Sequence, residues 1–252
     1  MPRGVGLNWL YDEARLQNRL LTPRALAVRM QSRLNFWYSA DWLSVDASRL
    51  VSGAADLTGN GNNGVQATAA NRLTYFASDQ MFGGRPSFGS TTVAGARRLD
   101  APANLLYRHQ FFSAYYKDGT STIFDANTMF SAGTASFSAP RIMGNINSSD
   151  LVNNSVYATA ASIGGRAASA TVLPLPASVI RADGNSTFSL QIGGSSVTTV
   201  RVLVGGFRHF VGCNQVLSNL EIALIEGVIA WDDGTPLVAS HPFANRPPLI
   251  GD

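Results

Sequence analysis

Apolar residues recur at a helical spacing only near the two ends of the chain. Leu26, Met30 and Leu34 follow one another at intervals of four, and Thr22, which is followed by proline, is a typical start of a helix. The pattern predicts two short helices over residues 8–34, and the second of them begins at this threonine.

Near the other end, Ser218 and Glu221 form a capping box, in which the serine hydroxyl accepts from the backbone of Glu221 and the glutamate carboxylate reaches back. We expect this helix to run to about Ala230 and to end at residues 232–236, where two aspartates, a glycine and a proline occur. The structural role of Glu221 also removes it from any set of catalytic acids. The proline-rich tail over residues 241–248 is predicted to lie extended across the surface.

Between these helices the helical period is absent, and short β-branched or aromatic runs alternate with turn signals. The runs lie at residues 73–76, 111–116, 122–124, 187–192 and 197–204, and the turn signals at residues 117–119, 183–185 and 193–194. Short strands at this spacing predict an all-β protein, either a sandwich or a barrel. Strands and helices do not alternate along the chain, which argues against a doubly wound nucleotide-binding fold.

Composition narrows the class of protein further. The chain has 252 residues, of which 14% are charged, against about 25% in ordinary globular domains. This length suits a single large β domain with its own core. The one cysteine, Cys213, excludes an internal disulfide and a multi-cysteine zinc site, and we expect it to be buried.

The positive charge is concentrated at the N-terminal end. Residues 1–34 carry six arginines against Asp12 and Glu13, a net charge of +4, while residues 35–252 carry a net charge of −1. Two interpretations stay open: an amphipathic helix packed on its own domain, or a docking arm for an acidic partner surface. The residues of such an arm would be Arg15, Arg19, Arg24, Leu26, Arg29, Met30 and Arg33. The nearly neutral remainder predicts no nucleic-acid partner.

Few residues are placed for catalysis or metal binding. The histidines are far apart, and the acids mostly flank glycine or asparagine in turns, so we predict no catalytic residue, no enzyme activity and no cofactor. A loop at residues 56–63 offers Asp56, Asn60 and Asn62 as a weak set of calcium ligands, because calcium prefers more than one carboxylate. A plain turn with glycines at positive φ is the favoured alternative for this loop.

Aromatic residues offer the other candidate surface. Trp37, Trp42 and Tyr115 could present flat faces to sugar rings, as in a glycan-binding site. The alternative, which we favour, is that rings of this kind fill the core of a sandwich.

Two stretches of the chain are similar to one family. The first runs through residues 37–46, 52–53, 56–63, 66–68, 71–74 and 83–88, and the second through residues 205–207, 216–218, 221–227, 230–231, 241–243 and 247–248. Together they resemble concanavalin A-like (laminin-G-like) jelly-roll domains common in tailed-phage structural proteins. The resemblance covers about 210 residues, with the middle third poorly matched. It departs from the family's pattern at Leu73, where a proline is expected, and at His209, where relatives usually have a carboxylate.

The resemblance implies a two-sheet antiparallel jelly-roll sandwich over residues 35–252. The charge pattern adds residues 1–34 as a short helical, arginine-rich docking arm, and the capping box adds one short C-terminal helix. The resemblance also implies a structural protein on the surface of a phage or phage-like particle, such as a decoration protein, head spike or tail fibre component. Its partners would be other virion proteins, and virion symmetry suggests a homo-oligomer. The alternative is a lectin-like receptor-binding module that recognises host surface glycans.

The sequence also bears on where such a protein acts. It contains no apolar run of the length needed for a signal peptide or a membrane span. We therefore expect no membrane insertion. We expect a virion protein that is made in the host cytoplasm and released by lysis.

Overall fold

The structure, a computed structural model, describes most of the chain. The described residues are 19–91, 97–116, 127–131, 141–144, 160–163, 166–167, 176–194 and 204–252. Several predicted features lie outside these ranges: most of the first N-terminal helix, the docking-arm residue Arg15, the turn at residues 117–119, the run over residues 122–124 and most of the run over residues 197–204.

Two helices and fifteen strands lie within the described residues. The helices are α1 (Pro23–Arg29) and α2 (Asn219–Asp233), and neither has the length and apolarity needed to cross a membrane. The strands are β1 (Leu34–Ser39), β2 (Leu43–Val45), β3 (Val51–Ala54), β4 (Gly64–Val65), β5 (Thr74–Asp79), β6 (Arg85–Ser90), β7 (Leu99–Asp100), β8 (Leu105–Tyr116), β9 (Asn127–Ser131), β10 (Arg141–Gly144), β11 (Ala160–Ile163), β12 (Arg166–Ala167), β13 (Ser178–Phe188), β14 (Gln191–Ile192) and β15 (Gly205–Cys213).

The strands form two antiparallel sheets. The larger sheet has the order β12-β11-β13-β8-β15-β6-β5, and β1 also pairs with β15, beyond the end of β6. The smaller sheet has the order β10-β9-β14-β7-β4-β3-β2. The prediction of a mostly β protein built from two antiparallel sheets is confirmed.

The strands at the centre of the larger sheet are buried on both faces, and every residue of β1 and β15 is buried. In β1, Phe36 and Tyr38 belong to a cluster that includes Leu99 and Ile192 of the smaller sheet, whereas Trp37 belongs to a second cluster beneath the helices. Successive side chains of a strand lie on opposite faces, so one strand contributes to both clusters. The result is a three-layer arrangement of smaller sheet, larger sheet and helices.

α1 covers the outer face of the larger sheet together with α2. The Thr22 hydroxyl accepts from the backbone N–H of Ala25 at 3.2 Å, and proline occupies the first helical position, as predicted. Leu26 and Met30 are buried in the cluster beneath the helices. This segment therefore packs on its own domain, which is the first of the two interpretations that the sequence left open.

α2 begins at the predicted capping box. Ser218 Oγ accepts from the backbone N–H of Glu221 at 3.3 Å, and Glu221 Oε2 accepts from the backbone N–H of Ser218 at 2.8 Å. Arg33 from the N-terminal segment adds an ion pair to Glu221 at 3.1 Å. The helix ends at Asp233, within the predicted stop at residues 232–236, and closes at Gly234, whose φ of 71° is left-handed.

The C-terminal tail is not helical, as predicted, but it does not simply lie extended on the surface, because part of it is buried and completes the helical layer. His241 and Phe243 are buried, and Phe243 packs on α2 at Gly227. A Cβ at Gly227 would lie 2.8 Å from the Phe243 ring, so this close approach requires glycine. The backbone N–H of Leu21 donates to the carbonyl oxygen of Pro248 at 3.0 Å, which joins the tail to the start of α1.

Two strand predictions need correction. Residues 183–185, predicted as a turn, lie inside β13, where a register shift between Asp183 and Ser186 marks a β-bulge. A short polar triplet that contains glycine suits a bulge as well as a turn, because both need locally irregular backbone. The single run predicted over residues 187–192 is divided between β13 of the larger sheet and β14 of the smaller one.

Candidate functional site

The last turn of α2 carries a pair of acids in an unfavourable position. Asp232 and Asp233 are the last two residues of the helix, where they face the negative end of its dipole. The Asp233 side chain is fully buried, and 29% of the Asp232 side chain is exposed. Two carboxylates at this place need positive partners from elsewhere in the chain.

β15 supplies both partners through a bulge. Arg208 and His209 are consecutive, so in a regular strand their side chains would lie on opposite faces of the sheet. The register between β15 and β8 shifts between Phe207 and Phe210, which places the irregularity at these two residues. A bulge re-aims the side chains beside it, and both of them reach Asp232.

Arg208 is buried at the centre of this charge network, which consists of Arg208, His209 and three acids. Its Nη2 lies 2.7 Å from Oδ2 of Asp41 and 2.8 Å from Oδ2 of Asp232, and its Nε lies 2.8 Å from Oδ1 of Asp233. Burial by itself lowers the pKa of Arg208, but the hydrogen bonds and charges of these carboxylates raise it, so the guanidinium stays charged. One cation thus holds three acids.

His209 adds a second link to the same acids. Its Nε2 lies 2.8 Å from Oδ2 of Asp232 and 3.3 Å from Oδ1 of Asp233. On the other side of the ring, Nε1 of Trp37 approaches Nδ1 at 3.3 Å, and the backbone N–H of His209 donates to Oγ of Ser113 at 3.0 Å. The side chain is completely buried.

These contacts compete to set the protonation of His209. Burial by itself lowers the pKa of His209, but the charges of Asp233 and Asp232 and the hydrogen bonds to them raise it to about 9. The Trp37 contact favours an unprotonated Nδ1, because protonation leaves two buried N–H donors facing each other at a cost of about 1–3 kcal/mol. Two carboxylates at hydrogen-bonding distance contribute more than that, so the imidazolium prevails near neutral pH.

The same contacts lower the pKa of Asp232. Burial by itself raises the pKa of Asp232, but the hydrogen bond and charge of His209, followed by those of Arg208, lower it well below its usual range. Asp232 is therefore ionised throughout the physiological pH range. It is an anionic acceptor held in place by two cations.

His209, Asp232 and Asp233 place three potential ligand atoms within 4.8 Å of one another, a spacing at which a metal ion can be held. The residues nevertheless do not fit a metal ion. Nε2 of His209 carries a proton in the imidazolium, and also in the neutral ring whose Nδ1 accepts from Trp37, so its lone pair is not available. Arg208 already neutralises both carboxylates at 2.8 Å.

The charge network reaches a cleft of about 320 Å³ beside the end of α2. The walls of the cleft are residues 20–23, the last turns of α2 with Trp231 and Asp232, Arg85 at the start of β6, and residues 247–248. Asp232 is the member of the network that lines it. A concave site with apolar walls and a few convergent polar groups is typical of small-molecule binding.

A second buried cluster lies around Glu226 in the middle of α2. Ser162 Oγ donates to Oε1 of Glu226 at 3.1 Å, and Nε2 of His241 lies 3.3 Å from Oε2. His241 Nδ1 accepts from the backbone N–H of Phe243 at 3.1 Å. These are the residue types of a hydrolase triad, but the hydroxyl contacts the acid instead of the histidine, so the histidine is not placed to activate it. The cluster joins α2, β11 and the tail.

The predicted docking-arm residues divide into two groups. Leu26 and Met30 are buried against α2 and the larger sheet, so they cannot contact a partner while α1 is in place. The basic members within the described residues keep part of their surface in solvent: Arg19, Arg24, Arg29 and Arg33. The docking role of these arginines stays a prediction.

The predicted glycan-binding aromatics are not brought together. Trp37 and Tyr115 are buried, so no sugar ring can stack on them, and this part of the prediction is wrong. The Tyr115 hydroxyl donates to Asp79 at 2.9 Å. Trp42 is 46% exposed, with the Arg24 guanidinium 5.1 Å from the centre of its ring.

The loop at residues 56–63 uses its predicted calcium ligands for hydrogen bonds. The Asp56 carboxylate accepts from the backbone N–H and the hydroxyl of Thr58 and from the backbone N–H of Asn62. The side-chain amides of Asn60 and Asn62 donate to carbonyl oxygens of β1 at 2.8 Å. Two glycines of the loop have φ of 83° and 78°, so the plain turn is confirmed.

Sequence reasoning missed the charge network. It treats Asp232 and Asp233 only as the end of a helix, although two acids in a last turn without a basic residue are a signal that a distant cation is needed. It does not consider Arg208, and it names His209 only as a departure from the family's pattern. The expectation for Cys213 is confirmed: the thiol is buried, and burial raises its pKa.

Comparison with family models, with curated proteins and with solved structures gives no match to this chain. The functions proposed below are therefore based on the fold, on the way α1 is held and on the cleft with its charge network.

Proposed function

We propose that the chain is a structural protein on the surface of a phage or phage-like particle, in which the two-sheet body is a jelly roll and the N-terminal segment attaches it to other virion proteins. The observation that carries the proposal is the way α1 is held. Its apolar side, with Leu26, is fixed in the helical layer, while Arg19 and Arg24 remain exposed. Basic side chains at fixed positions on a rigid body suit attachment to an acidic surface.

The distribution of charge along the chain supports the same proposal. Residues 1–34 hold a net charge of +4, and the other residues are nearly neutral in sum. Attraction to an acidic partner is then concentrated at one end of the molecule. In a symmetric particle such a protein occurs in several copies, and it leaves the cell with the particle.

The test is incorporation into particles. Residues 2–18 are deleted, and Arg19 and Arg24 are both changed to glutamine. A deletion that extends through Leu34 is avoided, because it would remove side chains buried in the core, including Leu26. We expect the variant to fold normally and to be missing from purified particles, since Arg19 and Arg24, the exposed arginines on which the proposal depends, are gone.

The matched control changes Arg49 and Arg97, two arginines of the β body, to glutamine. It removes the same number of positive charges as the paired substitution at Arg19 and Arg24, and we expect normal incorporation. If particles contain the deletion variant at the level of the unaltered chain, attachment does not use this segment and the proposal is wrong.

A second candidate function is a lectin-like receptor-binding module. One feature favours it: an exposed tryptophan, Trp231, lies beside the ionised Asp232 in the cleft at the end of α2. Aromatic faces next to fixed polar groups suit a ligand that has both an apolar and a polar side. A saturable signal when purified chain is titrated with glycans would support this function, and no signal with any glycan would exclude it.

A further inference from the structure

The cleft beside α2 is assembled from distant parts of the chain that are fixed to one another. Leu20 forms a β-bridge with Leu249, and the backbone N–H of Leu21 donates to the carbonyl oxygen of Pro248 at 3.0 Å. The tail is packed in turn on α2 at Gly227. Walls held by backbone hydrogen bonds and close packing give a preformed site, which is the usual state of small-molecule pockets.

Trp231 supplies a fixed aromatic surface in this cleft. The side chain is 44% exposed, and its indole N–H donates to the carbonyl oxygen of Phe243 at 2.7 Å. The polar edge of the ring is thus satisfied within the protein, and the exposed part is apolar. Trp42 is similarly exposed but has the Arg24 guanidinium 5.1 Å from its ring centre. Trp231 lines the cleft at the end of α2, and Trp42 is not among the residues of that cleft.

Asp232 supplies a fixed acceptor next to this ring. Its Oδ2 is 2.8 Å from Nη2 of Arg208 and 2.8 Å from Nε2 of His209, so two cations hold the carboxylate in one orientation. The exposed 29% of the side chain borders the cleft. Arg85 lines the same cleft and is exposed to solvent, where its guanidinium offers donors.

Among the described residues, the positive and the negative side chains around the cleft are equal in number. The three acids of the charge network are opposed by Arg208, by Arg85 and by His209, whose pKa of about 9 keeps it cationic at neutral pH. A site with balanced charge does not select its ligand by net charge. It favours a neutral molecule with hydroxyl groups on its edge and C–H groups on its face, and a sugar ring has this distribution.

We propose that the cleft binds a neutral saccharide, with one sugar ring stacked on Trp231 and with hydroxyl groups that donate to Asp232 and accept from Arg85. The inference deepens the lectin-like function proposed above and rests on it, while it is independent of attachment to a particle. No bond is made or broken in the ligand.

The experiment titrates the purified full chain with the methyl glycosides of glucose, galactose, mannose and N-acetylglucosamine and with disaccharides of the same sugars. Tryptophan fluorescence and titration calorimetry follow binding. We expect at least one of these sugars to bind with a dissociation constant of about 1 mM or lower. N-acetyl-lysine amide and glucuronate, a cation and an anion of similar size, serve as charged competitors and should bind more weakly.

Two pairs of variants locate the site. Trp231→Ala should weaken binding at least about tenfold, as the loss of a central aromatic contact does, whereas Trp42→Ala, at an equally exposed tryptophan, should not. Leu20→Arg fills the cleft and should abolish binding, whereas Val28→Arg on α1 should leave it unchanged. Leu20 and Val28 are 61% and 55% exposed, so neither substitution disturbs the core.

Three outcomes overturn the inference. Binding that is lost in Trp42→Ala but kept in Trp231→Ala and Leu20→Arg places a glycan site elsewhere, so the lectin-like function stands and this cleft does not serve it. No binding of any sugar by the unaltered chain overturns the function and the site together. Preference for the lysine or glucuronate probe assigns the cleft to a charged ligand instead.

Discussion

The N-terminus of α2 (its first end) and the C-terminus of α2 (its last end) are stabilised in different ways. At the first end, Ser218 and Glu221 satisfy each other's backbone N–H groups across 2.8 and 3.3 Å, and both residues belong to the helix start itself. At the last end, Asp232 and Asp233 oppose the helix dipole and have no basic residue in their own turn. Their partners come from β15 and not from the helix.

This difference indicates which end of α2 carries a functional site. The first end follows the local rules of helix capping and needs no further explanation. The last end breaks a local rule and is compensated by Arg208 and His209, and proteins tend to break such rules at functional or strained sites. The cleft lies at this end, where the compensated Asp232 reaches solvent.

Removal of Arg208 should have the largest effect. Arg208→Met leaves the buried Asp233 carboxylate and its two partner acids without their common cation, and we expect a loss of about 3–5 kcal/mol in the free energy of unfolding. Denaturant unfolding followed by circular dichroism measures it. Arg208→Met combined with Asp233→Asn should recover part of the loss. A cost below about 1 kcal/mol for the single change would show that the acids are stabilised in another way.

The pH dependence of the free energy of unfolding tests His209, which is the second cation at the C-terminus of α2. The pKa of His209 is about 9 in the folded chain, above its ordinary value of 6.5, so its contribution is complete below pH 6.5 and is lost as the pH rises through 9. The loss should amount to about 3 kcal/mol in total. Unfolding free energies measured between about pH 6 and pH 10 should fall across this window.

The buried thiol of Cys213, whose pKa burial also raises, adds a fall of its own only above its ordinary pKa of about 9, so the slope between pH 6.5 and pH 9 reports on His209. His209→Gln keeps a polar side chain but cannot titrate, and it should flatten the slope. A stability that is constant between these pH values in the unaltered chain would mean that the Trp37 contact, and not the carboxylates, determines the protonation of the ring.

Local features of the fold could be predicted from the sequence because their causes lie within a few residues. The Thr22 cap, the Ser218 capping box and the glycine turn at residues 56–63 depend on neighbours only. The division of the chain into helical ends and a β body follows from the period of its apolar residues. The partial burial of the tail was missed because the pattern of prolines excludes a helix but says nothing about burial of Phe243.

The candidate site could not be predicted, for two physical reasons. Arg208 and Asp41 are 167 positions apart, so their pairing depends on the order of strands in the larger sheet. The bulge in β15 places consecutive side chains together, which the alternation of a regular strand forbids. The aromatic prediction failed for a related reason, since Trp37 lies in β1, a strand that is buried on both faces.

The first end of α2 should respond to mutation with a moderate cost. Ser218→Ala removes the hydroxyl that accepts from the Glu221 backbone, and caps of this kind contribute about 1 kcal/mol. Ser240→Ala, at an exposed serine of the tail, is the matched control and should cost nothing measurable. If Ser218→Ala lowered the free energy of unfolding as much as Arg208→Met does, the local cap at the N-terminus of α2 would matter as much as the distant cation at its C-terminus.

Removal of the ion pair at the first end should have the smallest effect. Arg33 lies 3.1 Å from Glu221, but 42% of its side chain is exposed, and pairs of this kind contribute about 0–1 kcal/mol. Burial by itself raises the pKa of Glu221, and the bonds from Ser218 and the charge of Arg33 lower it, with Ser218 acting more strongly. Arg33→Gln should therefore change the unfolding free energy by less than about 0.5 kcal/mol, and high salt should abolish the difference. Arginines at the two ends of one helix then differ because only Arg208 is buried: at the exposed end water can replace the guanidinium, and at the buried end it cannot.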